Sequence, residues 1–304
     1  MSVFSRFLTY FDAVARYGSI RRASEELRIA ASAIDRQILQ GEQFLGTPLF
    51  ERLPSGMRLT SAGELLAVTA RRWIKDFDDI RRQIDDLKGL RQGEVTLLVP
   101  EAFSGIFLPP VITRLRASHP GIVVNIVVQQ NTTMISALAE GLGDIALVLD
   151  PEPVRDLIVR SSFRLPLGIV STPEHPVAQE KTARFSVCAE YPVIMPSPPL
   201  ALCRQLALLE AETGIHPSGV ASSNNVQMLR SLVASGIGIG ILSYPDAMDD
   251  VQSGRLIFTP LMNASARSLT LALCHDRTRR LSGAVRLVLA EVEKECVRHF
   301  GHFS

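Results

Sequence analysis

Cysteine is scarce, and its spacing excludes its usual structural uses. Cys188, Cys203, Cys274 and Cys296 form no C-x-x-C pair and have no histidine at metal-ligand distance. That argues against a zinc knuckle or a disulfide framework and for buried free thiols. Long apolar runs are also missing. The best stretch, residues 95–99, stops at Pro100 and Glu101, well short of the ~20 residues that span a bilayer, so no membrane partner is expected. Arg6 interrupts the first ten residues where an export leader needs a continuous apolar core, which points to a cytoplasmic location. Catalytic constellations fail in the same way. There is no G-x-S-x-G, and His119, His175, His216, His275, His299 and His302 are scattered, the first two preceding prolines as in turns. Lysine is nearly absent, four against 28 arginines. All eight basic residues of the first sixty positions are arginine. Its planar fork suits phosphate, although a chain-wide compositional bias accounts for the preference equally well.

The chain has 304 residues, 46% hydrophobic and 21% charged, the profile of a folded protein with two or more domains. The net charge of +1 divides unevenly. Residues 1–60 hold eight arginines against six acids, residues 61–90 six of each, and the remainder 18 bases against 19 acids. A weak positive excess at the front is not by itself a nucleic-acid signature.

Periodicity divides the chain into three. Phe4, Phe7, Leu8, Phe11, Val14 and Ala15 recur at helical spacing. Gly18 ends that helix and Ser19 caps the next, residues 20–27. A third helix spans about 32–44, with Ala33, Ile34, Ile38 and Leu45 facing inward and Asp35, Arg36, Gln37 and Gln40 outward. The short connection 28–31 has helix-turn-helix dimensions, and residues 49–59 read as a small hairpin, or wing. Next, Ser61 and Glu64 have capping-box spacing. Leu66, Ala70, Trp73, Phe77, Ile80, Ile84 and Leu87 then form a strict seven-residue repeat. So narrow a seam on a charge-balanced helix suits pairing with a second copy of the chain, the other reading being a helix packed on its own domain. Beyond Gly93, strand-like runs (95–99, 122–128, 145–149, 166–170, 192–195, 237–242, 269–273) alternate with helical stretches (108–117, 134–141, 200–213, 226–235, 281–297). This predicts an α/β region of mostly parallel sheets, split into two lobes.

At this point the N-terminal residues resemble the LysR-type transcriptional regulators. The pattern runs through Phe7-Leu8-Thr9-Tyr10-Phe11, Gly18-Ser19-Ile20, Ala23-Ser24-Glu25-Glu26-Leu27, Ser32-Ala33-Ile34, Arg36-Gln37-Ile38, Leu45-Gly46-Thr47-Pro48-Leu49-Phe50-Glu51-Arg52 and Leu59-Thr60-Ser61-Ala62-Gly63-Glu64. Weaker likenesses follow in order, at Leu138-Ala139-Glu140-Gly141, Gly143-Asp144-Ile145-Ala146 and Val233-Ala234-Ser235-Gly236-Ile237-Gly238. The resemblance implies a winged helix-turn-helix over 1–60, a linker dimerisation helix over 61–90, and a two-lobed effector domain over 91–304 like a periplasmic binding protein. Lobe I would hold about 93–162 and 268–298, lobe II about 163–267, with crossings near 161–165 and 267–269. Implied partners are double-stranded DNA, an unknown small-molecule effector, further copies of the chain as a dimer of dimers, and RNA polymerase. No cofactor or metal is expected.

The second helix of a helix-turn-helix enters the major groove, so Ala31, Ser32, Asp35, Arg36 and Gln40 are the candidate readers. Ala31 suits a thymine methyl, Ser32 a base or phosphate, and Arg36 a guanine or phosphate. Arg22, and Arg52 and Arg58 on the wing, suit the backbone. Gly41 stands where the family has leucine, and weakens the helix end by about 1 kcal/mol. In α/β lobes ligands gather at the carboxyl ends of strands. Candidate contacts there are Pro100, Glu101, Ser104, Asn131, Thr132, Ser197, Asn224 and Asn225. Pro100 and Ala102 replace the hydroxyl residues frequent in the family, and Glu101, facing inward, would favour a cationic ligand over an anion. A competing reading makes the chain an α/β enzyme or binding module whose N-terminal helices serve assembly. The run Gly236-Ile237-Gly238-Ile239-Gly240 invites it, but a dinucleotide fingerprint needs strand, glycine loop and helix in that order, and here a helix comes first.

Overall fold

Phe7, Phe11 and Val14 share one face of α1 (Arg6–Tyr17), and their burial explains how three short helices hold together. In the computed structural model, which describes residues 6–87, 93–152, 155, 157–262 and 268–303, the chain forms one unit around the first of these segments and a second around the rest. Phe4 lies outside the described residues. In the first unit the Phe11 ring packs 5.2 Å from Phe50 and 5.9 Å from Phe7, over Ile34 and Ile38, which are fully buried. Gly18 ends α1 at φ +61, and the Ser19 hydroxyl accepts from the Arg22 N–H to start α2 (Ile20–Leu27). Arg28, left-handed at φ 54, closes α2.

Helix α3 (Ala31–Leu45) buries Ile34, Ile38 and Gly41. A side chain at Gly41 would collide with the Phe7 ring, so this glycine is a packing site, which corrects its reading as a mere weak point. Leu45, expected inward, is 46% exposed. The packed face of α3 meets Phe7 at Gly41, and the helix runs on past it. Glu42 accepts from the Leu49 and Phe50 N–H groups (2.8 and 3.2 Å), fixing the entry to the wing. The wing pairs β1 (Phe50–Leu53) with β2 (Gly56–Leu59) antiparallel. It is tied to α1 by the Met57 N–H on the Gly18 carbonyl at 2.8 Å.

Helix α4 (Ser61–Leu87) is capped one residue earlier than expected. The Thr60 hydroxyl, not Ser61, accepts from an N-terminal amide, that of Gly63, at 3.1 Å. The seven-residue seam also divides. Ala70 is fully buried in the unit's own core together with Ala67, and Leu66 packs against it. Trp73 and Ile80 are 49% and 53% exposed. The start of the helix therefore packs on its own domain, and Trp73 and Ile80 beyond it are left exposed. The side chains of Ile84 and Leu87 lie outside the described residues. Arg71 reinforces the internal docking by donating to the buried Asp12 at 3.1 Å, which Arg16 also engages.

The second unit contains two five-stranded sheets. Lobe I is built from β3 (Gly93–Val99), β4 (Ile122–Val128), β5 (Ile145–Leu149), β6 (Leu157–Leu165) and β12 (Leu269–Asp276), in the order β4-β3-β5-β12-β6. Lobe II contains β7 (Leu167–Ser171), β8 (Val193–Pro196), β9 (Gly219–Ser223), β10 (Ile239–Ser243) and β11 (Ile257–Pro260), ordered β11-β7-β10-β8-β9. The sheets are mixed, not mostly parallel. β3 pairs parallel with β4 and β5, and β8 with β9 and β10, whereas β12 and β7 each pair antiparallel on both sides. Those two lie next to the crossings, where the chain re-enters each sheet reversed. The first crossing falls at Pro166, since β6 stays in lobe I through Leu165. Lobe I therefore extends past the expected residue 162. The second lies between Met262 and Ser268, where 263–267 are outside the described residues.

Helices α5 (Leu108–Ser118), α6 (Asn131–Ala139) and α10 (Gly283–Phe300) cover lobe I, and α7 (Leu202–Thr213), α8 (Val226–Ala234) and α9 (Tyr244–Gln252) belong to lobe II. Phe103, Phe107 and Phe300 pack ring to ring at 5.2–6.0 Å and fasten α10 to the loop after β3. Cys188, Cys274 and Cys296 are buried, and burial pushes the first two thiols up to about 12. Unionised at neutral pH, they are unreactive. Among the described residues no helix is long and apolar enough to cross a membrane.

Candidate nucleic-acid interface and ligand cleft

Ion pairing sorts the charges of the N-terminal unit. Asp35 on α3 is held by Arg52 of the wing at 2.7 Å, Glu51 by Arg58 (Nε at 2.9 Å), and Glu25 by Arg21 at 3.2 Å. Arg22, Arg28 and Arg36 are exposed and make no ion pair among the described residues. The acids are thus largely neutralised in place, and the surplus charge sits on α2, the turn and α3. Ala31, Ser32 and Gln40 are exposed on α3, Gln40 accepting from Gln37 at 2.7 Å. Ala30 precedes the helix without a side-chain cap. Of the expected contacts, Asp35, Gln40, Arg52 and Arg58 are already engaged within the fold.

Between the lobes the carboxyl ends of the strands enclose two adjoining chambers. The inner, about 350 Å³, is lined by Pro100, Glu101, Gln129, Asn131, Asn224, Asn225 and Asp246 with an apolar floor of Leu200 and Val226. The outer, about 490 Å³, adds Thr132, Asp150, Glu152 and Arg204. Glu101 faces in. Its two oxygens accept from the Asn225 amide of the opposite lobe at 3.1 and 3.2 Å. Among the described residues further polar contacts cross between lobes. Asp150 accepts from Gln205 (2.8 Å) and pairs with Arg204 (3.2 Å), and Asp249 accepts from the Ile106 N–H at 3.1 Å.

Not every expected contact reaches the chambers. The Ser104 hydroxyl donates to the Glu101 carbonyl (2.7 Å), and Ser197 pairs through its backbone with Ser223 (2.9 Å). Neither is among the lining residues of the two chambers: Ser104 closes its own turn, and Ser197 continues the pairing of β8 with β9. Asn131 lines it, but both ends of its amide are bonded to the Leu149 backbone at 2.6 and 2.7 Å. Polar contributors not singled out in the sequence include Gln129 and Asp246 of the inner chamber and Asp150, Glu152 and Arg204 of the outer. Asp246 is only 6% exposed, and its carboxylate accepts from the Ser243 hydroxyl (2.6 Å) and N–H (3.2 Å). Burial pushes this carboxyl above the usual range and the Glu101 charge adds to that, against the Ser243 bonds and Arg230. The available signal was the Ser243–Asp246 capping box at the end of β10.

The family model described as the LysR substrate binding domain matches residues 88–297, and that of the bacterial regulatory helix-turn-helix protein, lysR family, matches residues 5–64. The chain belongs to the LysR family of transcriptional regulators. Its N-terminal unit is the family's helix-turn-helix DNA-binding domain and its C-terminal unit the effector-binding domain. This LysR-type regulator is 25% identical to the HTH-type transcriptional activator CmpR of Synechocystis sp. over 77% of the chain and 76% of that protein. It is 25% identical to the RuBisCO operon transcriptional regulator of Allochromatium vinosum over 98% of each. The solved full-length OxyR of Pseudomonas aeruginosa shares the fold, with a TM-score of 0.76 at 19% identity over 94% of this chain and 93% of that one. The enzyme reading falls with these matches. Its glycine run has a structural use, since a side chain at Gly238 would strike the Pro192 carbonyl where β10 begins.

Proposed function

We propose that this regulator reads a particular duplex sequence with the first turns of α3, and that a small molecule in the interlobe cleft modulates that binding. One observation carries the reading: the start of α3 is exposed and uncapped, with unpaired arginines before and after it. Amide groups of a helix N-terminus without a side-chain acceptor suit a phosphate. Ala31, Ser32, Arg36 and Gln40 then face base edges, and Arg22 and Arg28 the backbone. Arg52 serves by neutralising Asp35, which would otherwise repel phosphate, and Arg58 by exchanging Glu51 for the backbone.

Two such heads, joined through the exposed side of α4, address successive turns about 34 Å apart. Trp73 and Ile80 supply that seam, with Phe77 beside them and Leu65, 74% exposed and one residue before the expected Leu66, in its place. Dimer-of-dimers assembly, contact with RNA polymerase and a cytoplasmic location belong to the same proposal. Control requires that the ligand bind one arrangement of the lobes better than another.

The test is electrophoretic mobility with random genomic fragments over a range of salt. Retardation that falls steeply as salt rises is expected, because phosphate contacts release counterions. Absence of retardation at every salt concentration refutes the reading.

A further inference from the structure

The cleft carries an unbalanced charge. Its two chambers are lined by four carboxylates, Glu101, Asp246, Asp150 and Glu152, and by one cation, Arg204. Arg204 is already paired with Asp150 at 3.2 Å. The inner chamber has two carboxylates and no cation among its lining residues. Arg230, the positive charge felt by Asp246, is engaged by Asp249 and Asp250 at 3.7 and 3.4 Å. A concave site lined by one sign concentrates its field on whatever enters.

The hydrogen-bonding inventory points the same way. The Gln129 Oε1 is shut off from solvent and accepts no bond among the described residues, and Gln129 lines the inner chamber. Among the described residues the Glu101 oxygens accept only from Asn225, whereas a carboxylate has about four acceptor positions. The chamber is therefore rich in acceptors that lack donors. A metal ion fits poorly, because no three Asp, Glu, His or Cys side chains converge among the described residues. An anion would meet two carboxylates without a counter-charge.

We propose that the effector of this regulator is a small organic cation, a primary amine or guanidinium. Its charge sits between Glu101 and Asp246, with its carbon body against Leu200 and Val226. The proposal rests on reading the cleft as the effector site, and it fixes the chemical class of the ligand.

The experiment uses the full chain, with thermal shift and calorimetry against linear mono- and diamines of ethyl to hexyl length, agmatine and arginine. Each is matched by the carboxylic acid and alcohol of equal length. At least one amine or guanidinium should raise Tm while no matched acid does. Its affinity should fall about tenfold or more in Glu101→Gln, which keeps an acceptor for Asn225 but removes the charge. Asp246→Asn should act in the same direction. Stabilisation by an acid, an amine effect untouched by Glu101→Gln, or no response to any cation at about 10 mM overturns the proposal. An acid whose stabilisation is abolished by Asn225→Ala would keep the cleft as the effector site while reversing its ligand class. DNA retardation measured on the same preparation reports separately on the head.

Discussion

The reading head and the effector cleft distribute charge in opposite ways. In the head, Asp35, Glu51 and Glu25 each have an arginine partner, so the unpaired charge left over is positive. In the cleft, Glu101 and Asp246 line an inner chamber that has no arginine among its lining residues, and Arg204 of the outer chamber is already paired with Asp150. The net charge of +1 conceals both. What a partner meets is the residue left after local pairing. That is why the head suits phosphate and the cleft suits a cation, although the whole chain is close to neutral.

The comparison breaks most completely if the positive face works without a second copy. Replacing Trp73 and Ile80 together by aspartate should yield a monomer in sedimentation and weaken operator binding by about a hundredfold or more, the loss expected when linked sites are separated. An intact dimer would remove the α4 seam. Next in size is Arg36→Ala. It should cost about 1–3 kcal/mol of operator affinity, and a salt titration should show a slope changed by about 1 if the guanidinium meets phosphate and unchanged if it meets a base. Arg52→Ala should also weaken binding, and Asp35→Asn should partly restore it in the double variant. No restoration would mean that Arg52 touches DNA directly.

Gly41→Leu brings in the residue usual in the family and should destabilise the head by about 1–3 kcal/mol through overpacking against Phe7, read as a lower Tm of the first transition. The smallest effect concerns pH. Since the folded state holds the Asp246 carboxyl above its ordinary range, its negative charge is lost earlier than usual on acidification. Amine affinity should decline on acidification from neutral pH, earlier than for an ordinary carboxylate, while the amine itself stays protonated. Glu101 beside it, and Arg230, Asp249 and Asp250 behind it, share that field. Asp246→Asn should flatten the decline.

Much of the head was legible because its signals are local. Gly18, Ser19 and the helical spacing of Phe7, Phe11 and Val14 each specify their own turn of chain, and the wing lies where its turn residues put it. The α4 repeat was legible as a repeat but not as a divided one. Ala67 enters the core outside the seven-residue register, and only the packed structure shows that Ala70 faces inward. In the second unit β6, β9 and β11 escaped pattern reading. β6 carries Arg160, Ser161 and Ser162, β9 is Gly-Val-Ala-Ser-Ser, and β11 ends in proline, so none presents the apolar run of a central strand. Glu101 stood out as an acid immediately after an apolar strand. Asp246 did not, because β10 passes into α9 at Ser243 with no intervening loop to suggest a strand-end site.

The contact between Phe7 and Gly41 makes two distant positions of the chain conditional on each other. The space beside position 41 of the third helix is filled by a ring from the first, so the two positions share one volume. Leucine at 41 becomes tolerable only once Phe7 shrinks, and a Phe7→Ala change is repaired from the far side. Any grafting of this head onto a foreign linker must therefore move both residues together, or the exchange leaves either a hole or a clash beneath the reading helix.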